Sequence, residues 1–234
     1  MLSHRHHIHS PEMTTRSYIS PTRAAAAADN RDKVVRSAIA FLRQQDIARF
    51  SLDAVAKAAG VARLTVYNQF GSRRGLLEAA FDEIARTGGL IRLPQVIVVA
   101  DPMQALRGLV DVFCDFWGSD AALGRLYDAI GLDPEFGEAL LARNELRRGL
   151  LSRLIDRMDI PGTALSGKRD AVDLIFTLTS YPTYRLLAVT RSDKAIRRII
   201  KSACTDAIER ARKGTATEWG RSCRIYTTRC LRAR

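Results

Sequence analysis

Arg63, Leu64, Thr65, Tyr67, Asn68 and Gln69 crowd into one short stretch, RLTVYNQF at 63–70, and these side-chain types suit contact with nucleic acid. An Arg guanidinium bonds a guanine edge in bidentate fashion, an Asn or Gln amide does the same with adenine, and Leu64 packs on a thymine methyl. Thr65 and Tyr67 carry hydroxyls that reach phosphate oxygens, which fixes register rather than reading sequence. Upstream, Ser51 opens a helix whose first turn points backbone N–H groups at another phosphate. Arg73 and Arg74 add charge on the same side. A packed monomer gains little by showing Leu64 and Tyr67 to water beside Arg and Asn. A helix lying in a major groove employs them all.

Such residues need a rigid presenter, and the flanking pattern supplies it. From Asp32, apolar residues Val35, Ala38, Ile39 and Leu42 recur at helical spacing. Ser51 is a good N-cap for a second helix that buries Leu52, Val55, Ala56 and Ala59, and Gly60 stops it. A third helix, about 63–70, turns Val66 and Phe70 inward because residues four apart share a face. A fourth starts near Ser72, buries Leu76, Leu77, Ala80, Phe81 and Ile84, and ends around Gly88-Gly89. Two short helices joined by a tight Gly-containing turn make a helix-turn-helix. Arg63, Leu64, Thr65, Tyr67, Asn68 and Gln69 are then left largely on its outward and flanking surfaces.

Beyond this unit the chain reads as all-α. Leu90–Asp101, with Pro94 and the β-branched run Val96–Val99, suits a packed loop better than a helix. Helices are expected at 103–117, 121–130, 134–158, 168–190 and 193–212, with Pro182 breaking the fourth of these just after Tyr181. The helix at 193–212 has an apolar stripe of Ile196, Ile199, Ile200, Ala203, Ala207 and Ile208. The helix before it is apolar around most of its girth, including Leu174, Ile175, Phe176 and Leu178, so it is buried on two sides. Both helices therefore either fill the monomer's core or face a partner. The domain reading is a flexible arm at 1–30, a DNA-binding unit at 31–75, a helical domain at 76–213 and a basic tail at 214–234.

Charge agrees with this assignment. The formal net charge is +12, which favours phosphate-rich partners. Through residue 75 there are twelve Lys/Arg against five Asp/Glu, so the excess lies where DNA would. No apolar run is long enough to cross a bilayer and no secretory h-region opens the chain, which points to a cytoplasmic protein without membrane contact. All four His lie in the first nine residues, in an arm with no partners to fix a metal's geometry. No GxSxG, HExxH or P-loop pattern occurs. An enzyme without DNA binding is thus a remote alternative, and no catalytic, metal or cofactor residues are assigned. Cys114, Cys204, Cys223 and Cys230 are scattered and read as free thiols or core filler.

The segment Arg31–Arg86 resembles the N-terminal domain of the TetR (tetracycline-repressor-like) family of bacterial regulators. The resemblance rests on AVAKAAGV, the triplet Thr65-Val66-Tyr67, Phe70, and Arg73 followed by Leu76-Leu77. In two places the sequence departs from the family pattern: Ala62 stands where a capping Ser is usual, and Gln69 where His is common. The resemblance implies three N-terminal helices for DNA and a larger helical domain for ligand and dimerisation. It implies a cavity among the later helices, for which Phe113, Trp117, Tyr127, Phe176, Tyr181 and Tyr184 are the candidate walls. It also implies that the last two helices pair in a homodimer, through Leu174, Leu178, Ile196, Ile199, Ile200 and Ala203. The function so implied is a repressor that a small molecule releases from a pseudo-palindromic operator; a ligand-independent or activating regulator is the alternative.

Overall fold

A computed structural model describes residues 21–160 and 165–213, and every regular element in them is helical. The first four helices are α1 (Pro21–Gln44), α2 (Leu52–Ala59), α3 (Arg63–Phe70) and α4 (Arg73–Thr87). After them come α5 (Leu93–Ile97), α6 (Pro102–Ser119), α7 (Ala122–Asp128), α8 (Pro134–Asp156), α9 (Leu165–Leu178), α10 (Tyr181–Ala188) and α11 (Asp193–Lys213).

The N-terminal unit is built by local signals. The Ser51 Oγ accepts the Ala54 N–H at 3.1 Å and starts α2. Gly60 ends it at φ +64, a left-handed backbone that glycine adopts without steric cost. The Val61 N–H then reaches back to the Ala56 carbonyl at 3.0 Å, which turns the chain sharply into α3. Ala62 offers α3 no side-chain cap, as its type dictates. The Ser72 Oγ caps α4 through the Gly75 N–H at 3.1 Å. Val34, Ala38 and Leu42 of α1 close over Val55, Val66, Leu76 and Leu77, all buried. Gly75 is required here by close approach: a Cβ on it would lie 2.1 Å from the Phe70 carbonyl oxygen.

Three boundaries differ from expectation. Helix α1 begins at Pro21 rather than Asp32, so part of the expected arm is helical. Ala24–Ala28 is a strong helix-forming run, and Pro is well placed in a first turn; residues 1–20, including the His cluster, lie outside the described residues. The connector is not a loop: a 3-10 turn at Leu90–Arg92 leads into α5. Pro94 sits in the first turn of α5, where its missing N–H has no helical partner to lose. Val96 seats against Gly108 of α6, and this packing overrides its β preference. The break in the penultimate helix falls at Thr179-Ser180, not after Tyr181. Ser180 caps α10 through Thr183, and Pro182 lies within the first turn that follows. The basic tail lies outside the described residues.

In the larger part α6 is central, with Leu106, Leu109, Val110, Phe113, Phe116 and Trp117 buried. Helices α8 and α11 pack on it, and α9 packs on both of them. The buried stripe of α11 is Ile196, Ile200, Cys204, Ala207, Ile208 and Ala211. Cys114 and Cys204 are core filler: burial pushes their thiols up to about 11 and about 12.

Candidate nucleic-acid interface and interior cavity

On α3 only Val66 is fully buried. Leu64 is 66% exposed and Tyr67 55%, and Arg63 and Asn68 are also exposed, with Thr65 half-buried. The helix therefore shows solvent a contiguous surface of guanidinium, isobutyl, phenol and amide. Arg63 pairs with Asp53 of α2 at 3.1 Å, both side chains being mostly in water. Such a pair is weak and easily exchanged for a stronger anion. Ser51 spends its hydroxyl on the α2 cap and is half-buried.

Two residues expected on this face do other work. Gln69 turns back to α1, its side-chain amide N–H donating to the Ala27 carbonyl at 3.2 Å while its backbone carbonyl accepts from Arg31 at 3.1 Å. The Arg31 guanidinium also covers the Phe70 ring at 4.6 Å. The extended α1 is what captures Gln69, and the expected helix start at Asp32 hid that contact. Arg73 is committed inward: it donates to the carbonyls of Phe50 and Ile47 at 3.0 and 3.1 Å, and pairs with Asp133 at 2.7 Å. Its fork ties the start of α4 to the Ile47–Phe50 segment and to the N-terminus of α8.

The helical body contains a cavity of about 690 Å³ between α4, α5, α6 and α8. Of the six expected walls, Phe113, Trp117 and Tyr127 line it, and Phe176, Tyr181 and Tyr184 do not. Tyr181 stacks behind Tyr127 with ring centroids 4.3 Å apart. Tyr184 donates to Asp193 at 3.0 Å, and Phe176 lies against the far side of Arg147. Composition offered candidate aromatics but not which side of α6 each would face. Burial pushes the Tyr127 hydroxyl up to about 12, so it remains a donor.

Sequence reasoning missed Phe81, Arg143 and Arg147 as cavity residues. A signal was present, since Arg143 and Arg147 are four apart and share a face of α8. Arg143 bonds Glu78 and Asp82 at 3.3 and 2.9 Å. Arg147 is buried, and its Nη1 donates to the Thr179 hydroxyl at 3.1 Å.

The outer face formed by α9 and α11 is less apolar than expected. Ile196 and Ile200 are buried within the protomer against α6 and α9, so they do not face a partner. They lie four apart on the stripe that α11 turns inward, whereas Ile199 and Ala203 flank it. Leu174, Leu178, Ile199 and Ala203 are partly exposed.

Comparison with known proteins agrees with this geometry. Residues 34–80 match the family described as bacterial regulatory proteins, tetR family. The chain is 30% identical over 133 residues to the HTH-type transcriptional regulator EthR of Mycolicibacterium smegmatis, covering 54% of this chain and 61% of that one. It thus spans less than two thirds of that relative. It is 41% identical over 58 residues to the HTH-type regulator AlkX of Mycobacterium tuberculosis, 25% of this chain and 28% of that one. Among solved structures, a TetR-family regulator from Rhodococcus superposes with TM-score 0.60 at 18% identity, covering 77% of this chain and 99% of its own. NalD of Pseudomonas aeruginosa, the secondary repressor of the MexAB-OprM multidrug efflux pump, superposes with TM-score 0.59 at 17% identity, covering 78% and 97%. These last two are likenesses of fold.

Proposed function

We propose that the chain is a member of the TetR family of bacterial regulatory proteins, whose description its residues 34–80 match, and that it is a sequence-specific DNA-binding repressor released from its operator by a small molecule. The observation that carries the reading is the outward face of α3, where Arg63, Leu64, Tyr67 and Asn68 stand exposed on a helix held by one buried Val66. No packing need within the protomer accounts for that surface. A major groove does.

The protein is proposed to act as a homodimer on a pseudo-palindromic site, since two-fold protein symmetry is mirrored in the operator. The partly exposed Leu174, Leu178, Ile199 and Ala203 of α9 and α11 supply its pairing face. The effector site is the cavity lined by Phe113, Trp117 and Tyr127, of a volume suited to a drug-sized molecule. The site of action is the cytoplasm, and no catalytic role is assigned. No described helix is long and apolar enough to cross a membrane.

Selection of bound duplexes from a random library tests the central claim. Enrichment of a motif with two inverted half-sites is expected. Recovery of unenriched DNA, or of none, would overturn it.

A further inference from the structure

The cavity's charge is unbalanced. Three arginines line it, Arg143, Arg147 and Arg153, against a single acid, Asp82. Arg143 and Asp82 neutralise each other at 2.9 Å, and Arg153 is exposed. That leaves Arg147, which is only 9% exposed and has no carboxylate within ion-pair distance among the described residues. Among the described residues its one hydrogen-bond acceptor is the neutral Thr179 hydroxyl, and its buried Nε meets no acceptor there. The Phe176 and Phe113 rings lie 4.0 and 5.5 Å from the guanidinium carbon. Rings stabilise a cation's faces and leave its N–H edge to be satisfied by something else. A buried charge without a counter-charge is costly, and an anion that supplies both charge and acceptors offsets that cost.

The remaining walls specify the rest of the ligand. They are largely apolar, including Leu93 and Leu150, and two lining residues, Val98 and Leu146, are 74% and 75% exposed. Exposed aliphatics at a cavity mouth are what an apolar body passing between α5 and α8 would cover.

We propose that this cavity takes an amphipathic organic anion, an apolar chain or ring system bearing one carboxylate-type head that Arg147 receives. The assignment rests on the reading of this cavity as the effector site. Head-group charge is its distinguishing property: Arg147 selects for anions, tolerates alcohols poorly and rejects cations.

Calorimetric titration of the full chain, free of DNA, tests it with dodecanoate, dodecanol and dodecyltrimethylammonium below their micellar concentrations. Naphthoate and naphthol provide a second, ring-shaped pair. The carboxylate of at least one pair is expected to bind about tenfold or more tightly than its alcohol, with no binding of the ammonium. Arg147→Met should bring carboxylate affinity down to that of the alcohol and leave the alcohol nearly unchanged. If Arg147→Met does not fold, the head-group order in the unaltered protein decides alone. Equal affinity for carboxylate and alcohol overturns the proposal. So does a carboxylate preference that survives Arg147→Met, or no binding in either series. Operator selection is a separate measurement, so loss of anion preference with a selected motif intact removes the ligand assignment and leaves the DNA reading standing.

Discussion

Arg147 and Trp117 meet at Thr179. The Arg147 Nη1 donates to the Thr179 hydroxyl at 3.1 Å, and the Trp117 indole N–H donates to the Thr179 carbonyl at 2.9 Å. That hydroxyl in turn donates to the Ile175 carbonyl at 2.8 Å. The gap between α9 and α10 is thereby fastened to two residues of the cavity wall. Thr179→Val keeps the shape and the backbone acceptor but removes the hydroxyl oxygen to which Arg147 donates. A loss of about 1–3 kcal/mol in stability is expected, the cost of stripping a buried charged donor. Urea denaturation measures it; an unchanged midpoint would mean that Arg147 does not depend on Thr179.

On α3, Arg63→Ala and Asn68→Ala should each relax base preference at one position of a half-site, at about 1–3 kcal/mol. Tyr67→Phe should weaken all sequences about equally and keep their order, since a phosphate contact carries no base information. Arg73→Ala should behave differently again. It strips two carbonyls and Asp133 of their donor, so thermal stability falls before any base preference changes. Selected motifs and melting curves for the four variants sort these roles. A shifted preferred base in Tyr67→Phe would show the sorting to be wrong.

Gly75→Ala should cost more than any exposed α4 substitution. Its new Cβ would sit 2.1 Å from the Phe70 oxygen, and a backbone atom there cannot swing aside. The strain must be relieved by moving α3 off α4. We expect a loss of about 1–3 kcal/mol, with weakened DNA binding even at temperatures where the protein stays folded. A melting point within a degree of the parent would contradict this contact.

Arg43 of α1 and Asp120, at the α6–α7 turn, form a bidentate pair at 3.0 and 2.6 Å. Burial raises the Asp120 carboxyl, but hydrogen bonds from Arg43 and the Ala122 N–H outweigh it and hold the group below its usual range. A depressed carboxylate contributes stability above its unfolded value, near 4, and loses it as the pH falls through the folded one. Asp120→Asn should therefore cost on the order of 1 kcal/mol at pH 7, a figure discounted because Arg43 stands half in water. The difference between parent and variant should shrink below about pH 4. Melting points from pH 3 to 7 check it, and a constant difference across that range would exclude the pair as the cause.

The helix-turn-helix was legible because each step is local: a cap at Ser51, a left-handed stop at Gly60, and inward Val66 four residues before Phe70. Phe113 and Trp117 were legible as wall candidates because they are large side chains on the strongly apolar α6, and Tyr127 because it joins an apolar ring to a polar tip. What escaped depends on distant partners. Arg73 looks like a surface cation until Phe50, Ile47 and Asp133 are brought to it by the fold. Ile196 and Ile200 look like Ile199 until the rotation of α11 against α6 is fixed. Arg147 was overlooked because an arginine in a helix is ordinarily solvated, and only the closure of α8 on α6 and α9 makes it interior.

Helix α4 runs from the helix-turn-helix to the cavity wall. It starts at Arg73, fastened to the carbonyls of Ile47 and Phe50, and its middle presents Phe81 to the cavity with the ring edge-on to Phe116 at 5.8 Å. Leu77 and Ile84, one turn to either side, are buried and move with it. A ligand shifts DNA affinity only by binding the two forms unequally. If it does, operator DNA changes ligand affinity by the identical factor. We therefore predict negative coupling of about 1–3 kcal/mol, or roughly 5- to 150-fold. Phe81→Ala should reduce it by opening space that absorbs the displacement before it reaches α3. Calorimetric titration of an identified effector, with and without saturating operator, measures the coupling directly. Equal affinities in the two titrations would show that α4 does not transmit, and would leave a DNA binder whose occupancy ignores its cavity. A coupling that survives Phe81→Ala unchanged would move the route elsewhere, the α9–α10 joint at Thr179 being one further connection from the cavity to the α9 and α11 face.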